Sequence, residues 1–229
     1  EGATMSEPAA RTGATAVSFT EQMWGFVRLG AGDPAEAYED ARLRDERFGF
    51  ELTITADDIA AFVADPTHQG RAEGYVDGVI LGGRVPVDRG WFNLFVPSGG
   101  GADRQMLYRL WLTPDSGEPF TLVGFKDVHD DPGFDLWDDT TTLFVQLLAG
   151  HVPPGEVSLD SGLLPAADER VRGAGILRIA PLDFARQLTT FAADGPHPGA
   201  AIADFGSLFL GQLWETYAAL AGGSEGVRR

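Results

Sequence analysis

The chain has 229 residues, no cysteine and a formal net charge of −17. Without cysteine there are no disulfides, thiolate nucleophiles or cysteine-based metal centres, which fits a reducing cytoplasm. A field of that sign repels phosphate backbones and anionic membrane surfaces, so nucleic-acid binding is not expected.

A hydrophobic content of 44% with 22% charged residues is that of a globular chain. Thirty glycines and fourteen prolines favour a turn-rich all-β fold. No apolar run reaches the roughly 18 residues that a membrane helix needs. Residues 1–16 read as a flexible polar tail, with Met5 as a natural start.

Strand-like segments follow in order at 17–29, 48–56, 70–81, 90–97, 104–114, 119–128, 139–150, 171–179 and 185–193. Each is rich in β-branched or aromatic residues and bounded by Gly, Pro or Asp. In the first, Phe19, Glu21, Met23 and Gly25 share one face, and Thr20, Gln22, Trp24 and Phe26 the other. Leu107 to Leu112 alternates with period two, and "TPDSGEP" (113–119) is a hairpin turn. About nine strands without long intervening helices predict an antiparallel β-barrel or sandwich.

Three stretches break the pattern. Residues 33–46 have an acidic start and a proline in the first turn of a helix, and 56–66 form a short helix or loop. Residues 199–220 carry an amphipathic helix through Ile202, Phe205, Leu208, Phe209, Leu213, Trp214 and Tyr217. Its apolar surface serves either to close the core or to dock another domain or a second copy. Residues 221–229 form a second tail.

The chain also resembles itself: "FTEQMWGF" (19–26) is echoed by "FTLVGF" (120–125), and 74–95 loosely by 173–191. The β-rich domain 17–198 then reads as two duplicated halves, 17–103 and 104–198, around a shared interior.

Motif matches are weak by comparison. "GAGDPA" (30–35) satisfies a dinucleotide fingerprint, but the charged helix after it and the lack of βαβ units argue against a Rossmann fold. "GGSEG" (222–226) has the nucleophile-elbow spacing in a tail, with no His or Asp after it. The four histidines stand singly in loops, so no metal or other cofactor is expected. Residues 129–142, "HDDPGFDLWDDTTT", hold five aspartates that miss the calcium-loop pattern and suit turn hydrogen bonds. Glu21, Asn93, Arg109, Lys126, Arg178 and Arg186 are polar groups in apolar strands, where burial requires a partner.

Several long strings then carry a resemblance: "GWFNLFV" (90–96), "MLYRLWL" (106–112), "LVGFKDVHDDPGFDLWDDTTTLFV" (122–145), "GAGILRIAPLDFARQLTTF" (173–191) and "FGSLFLGQLWETY" (205–217). Together they resemble a module fused, in large actinobacterial proteins, to flavin oxidoreductases of the glucose–methanol–choline or cholesterol-oxidase type. The flavin domain is not in this sequence, so what the resemblance implies is context: a sterol or lipid-like substrate, and a module that holds it or docks to the oxidoreductase.

Three readings follow. In the first, an accessory barrel binds a hydrophobic small molecule or docks to an oxidoreductase, with Trp24, Phe26, Trp91, Phe92, Tyr108, Trp111 and Phe125 as lining residues. In the second, an isomerase or cyclase on the same scaffold uses Lys126, His129, Asp131 or Arg109 as acid–base or orienting groups. In the third, the chain is a purely structural interdomain module.

Overall fold

Period-two alternation becomes a closed wall. The computed structural model describes residues 13–97, 104–128, 141–159, 161–179 and 190–208. Its strands are β1 (Ala16–Leu29), β2 (Arg47–Ala56), β3 (Gln69–Gly78), β4 (Gly83–Pro97), β5 (Arg104–Leu112), β6 (Phe120–Val128), β7 (Thr142–Ala149), β8 (Val171–Arg178) and β9 (Ala192–Asp194). Each of β1 to β7 pairs antiparallel with the next in sequence, and β1 pairs with β8, closing an eight-stranded meander barrel. The short β9 adds to β1 through Ala16–Ser18. Closure removes the free edges that an open sheet would expose.

The closing seam depends on glycine. A Cβ on Gly25 would lie 2.0 Å from the Ile176 carbonyl oxygen, and one on Gly175 2.1 Å from that of Phe26. Only a residue without a side chain lets β1 and β8 come this close.

Interior positions follow the parity expected of β1: Val17, Phe19, Glu21 and Met23 are buried, while Gln22 and Trp24 are exposed. They join Phe50, Leu52 and Ile54 of β2, Phe92 of β4, Tyr108 and Leu110 of β5, Leu122 of β6 and Leu143 of β7 in one core. Both halves expected from the sequence supply strands to this one sheet, their boundary falling between β4 and β5.

Among the described residues, three α-helices dress the barrel. Helix α1 (Pro34–Leu43) lies on β1 and β8, its Asp33 cap accepting from the Ala35 and Glu36 amides. Helix α2 (Ile59–Ala64) is capped by Asp58 in the same way. Helix α3 spans residues 198–208, the described part of the C-terminal helix expected from sequence. Phe205 of α3 packs on Phe19, Phe62 and Phe191 at centroid distances of 5.8, 6.0 and 5.5 Å, plugging one end of the barrel. No described helix is long and apolar enough to cross a membrane.

A second, smaller core lies outside the barrel. Residues 150–159 and 161–170 fold back over β6 and β7, burying Val123, Leu148, Val152 and Val157. Gln146 fixes this cover: its amide donates to the Gly32 and Leu164 carbonyls and accepts from the Leu164 N–H.

Candidate functional site

Three polar side chains reach the interior, one from β1 and two from the neighbouring strands β5 and β6 across the barrel. Glu21 is the third inward residue of β1, Tyr108 faces inward from the middle of β5, and Lys126 lies near the end of β6. All are buried, with 2%, 1% and 3% of their surface exposed. The Tyr108 hydroxyl donates to Glu21 Oε2 at 2.7 Å, and the Lys126 ammonium donates to Glu21 Oε1 as an ion pair. Lys126 Nζ lies 5.3 Å from the centre of the Tyr108 ring. The contacts therefore span the lumen from β1 to β5 and β6.

Apolar rings set the position of this cluster. Phe92 meets Tyr108 edge-on at 5.1 Å, and Phe50 lies against it at 5.7 Å. Phe92 in turn touches Phe19, which packs under Phe205 of α3. The polar cluster thus sits one aromatic layer beneath the plugged end.

Its electrostatics follow from that burial. Desolvation, then the neighbouring Glu21 charge and the hydrogen bond to it, push the Tyr108 pKa well above its ordinary value. Tyr108 accordingly keeps its proton and directs it at Glu21. An ammonium has three N–H donors. Glu21 engages Lys126, and no other described residue accepts from it.

A second buried cation lies on the opposite side of the wall. Arg109 points outward from β5, is 3% exposed, and donates through Nη1 to Asn93 Oδ1 at 3.0 Å. Asn93 passes the bond on to the Thr67 carbonyl at 3.0 Å. Nη2 of Arg109 is buried without a hydrogen-bond partner, and burial pushes the arginine pKa down. Arg109 and Lys126 are thus separated by the barrel wall and do not share a site.

The aromatic residues expected to line a cavity divide by parity. Phe92 and Tyr108 face the lumen. Trp24 is 45% exposed on the outer face, and Phe26 stands against Tyr38 of α1 at 5.8 Å. Trp91 meets Trp111 edge-on at 5.0 Å outside, and the Trp111 indole N–H donates to the Val152 carbonyl of the cover. Phe125 stacks on Phe144 beneath Gly162 of the same cover. These five fall outside the lumen because the outer wall also has layers to bury. His129 and Asp131, with most of the acidic stretch, lie outside the described residues.

Glu21 is the member that the lining and acid–base assignments omitted. Its signal was present: the inward face of β1 is apolar on either side of it, at Phe19 and Met23. At the far end of the barrel a cleft of about 360 Å³ opens between Leu29, Leu81, Val85, Arg84, Glu118 and Phe120. Among the described residues no group of three or more acidic or histidine side chains is arranged to hold a metal ion. Compared with protein-family models, curated proteins and solved structures, the chain matches none of them.

Proposed function

We propose that the barrel binds a hydrophobic small molecule, sterol- or lipid-like, in its lumen and acts as an accessory to an oxidoreductase. The observation that supports this is the Glu21–Lys126 pair with Tyr108, set among apolar rings. Burying two ions costs several kcal/mol each, and well-packed apolar residues in their place are often as stable or more so. A core that served packing alone would gain nothing from them. Sites for small molecules, in contrast, combine apolar walls with a few convergent polar groups that fix orientation. The oxidoreductase context and the sterol-like class rest on the resemblance carried by residues 90–96, 106–112 and 122–145.

Native mass spectrometry of the protein extracted gently from cells tests the reading, followed by titration with a sterol and fatty-acid panel. The expected result is an added mass released on denaturation and taken up again from the panel. Bare protein in every preparation, with no uptake, overturns it and leaves a structural module.

A second reading is favoured by one feature: a phenol that holds its proton stands beside a carboxylate and an ammonium. Such a set suits an isomerase or cyclase that moves a proton on an apolar substrate. Under that reading Tyr108→Phe keeps ligand uptake and abolishes turnover.

A further inference from the structure

We infer that the lumen selects a neutral ligand whose apolar body carries one uncharged oxygen acceptor, as in a ketone, an aldehyde or an alcohol. This rests on the lumen-binding reading and goes on to the chemistry of recognition. The cluster sums to zero charge: Glu21 is negative, Lys126 positive and Tyr108 neutral. No other charged side chain belongs to the interior core among the described residues, since Arg109, the third buried charged residue in the strands of the wall, faces outward.

Donor capacity and charge then point the same way. The single Tyr108 proton is committed to Glu21 Oε2. Lys126 retains N–H donors that no described residue engages, beside the Tyr108 ring, which itself packs on Phe50 and Phe92. An uncharged oxygen accepts one of them and leaves the site neutral. A carboxylate must share Lys126 with Glu21, leaving a net negative charge in a desolvated lumen and bringing two carboxylates together. An ammonium ligand adds a second cation beside Lys126. A bare hydrocarbon leaves the donors without an acceptor.

Three probes of one chain length separate these cases: a medium-chain methyl ketone, the matching carboxylate and the matching alkane. Binding is read by titration calorimetry and by quenching of aromatic fluorescence in the intact protein. The ketone is expected to bind tightest, about tenfold better than the alkane, which is the worth of roughly one hydrogen bond. The carboxylate is expected to bind more weakly than the ketone. The paired change Glu21→Gln with Lys126→Met leaves no unpaired charge and brings ketone and alkane to within about twofold of each other.

A carboxylate that binds as tightly as the ketone overturns the inference while the binding reading stands. So does a ketone advantage that survives the paired change. Uptake of none of the three overturns both. The wild-type panel decides the matter even where the paired variant fails to fold.

Discussion

Lys126 and Arg109 are both about 97% buried cations on adjacent strands, yet the barrel treats them differently. Lys126 lies in the lumen against Glu21, with a tyrosine completing the carboxylate. Arg109 lies on the outer face of the wall with one neutral amide oxygen and a bare nitrogen. The lumen thus holds a compensated pair that removal of either member would unbalance. The outer wall holds a cation with no counter-charge among the described residues. Burial alone therefore does not mark a functional charge; the geometry of its counter-charge does.

The largest expected effect is on the compensated side. Lys126→Met leaves Glu21 buried without its cation and costs about 3–5 kcal/mol of stability, measured by urea denaturation. The paired change Glu21→Gln with Lys126→Met recovers most of it, and a double variant as unstable as the single one breaks the comparison. Next comes Tyr108→Phe, which removes a hydrogen bond to a charged group and costs about 1.5–3 kcal/mol.

The same tyrosine sets an alkaline limit. Its folded-state pKa is raised, so the unfolded chain loses the phenolic proton first. Stability from this group is complete below the ordinary value of 10.0 and falls as pH rises above it. Denaturation midpoints followed through that range should decline less steeply in Tyr108→Phe than in the wild type. The smallest effect is expected for Arg109→Met. It removes an unpaired charge and strands only the Asn93 oxygen, so stability stays within about 1 kcal/mol of the wild type. A loss as large as that of Lys126→Met would show that Arg109 has a counter-charge in solution.

Much of the wall was legible in the sequence because alternation is local. The parity of β1 was read correctly from Phe19, Glu21 and Met23, and the expected ranges of β2, β5 and β8 differ from the observed ones by one or two residues at either end. Strand β4 is longer than expected, starting at Gly83 rather than residue 90. Residues 82–89 fall between the strands expected from sequence, but a bulge between Val87 and Arg89 lets the ladder continue through them.

The cluster was less legible, because it depends on which walls face one another. Lys126 and Glu21 are separated along the chain by the whole of β2 to β5, and only barrel closure brings them together. The aromatic residues divide between the two faces of the wall for a local reason. Trp91 and Phe92 are adjacent, so they face opposite ways, and Trp111 is an odd number of residues from Tyr108. Parity forbids any of these pairs from sharing the lumen, and an exterior cover that gives Trp91, Trp111 and Phe125 something to pack on is not visible in local pattern.

The pairing of β1 with β8 has a consequence for synthesis. Within the barrel, Trp24 lies in the first of the eight strands to leave the ribosome and its partner Arg178 in the eighth. Until β8 arrives the barrel is an open sheet, and long-range pairing of this kind is slow. Glu21 then waits in water as an ordinary carboxylate, and closure is the step that removes its hydration. The nascent chain is thus kept soluble at its future centre, and the cost of drying that centre falls on the strand that closes the barrel.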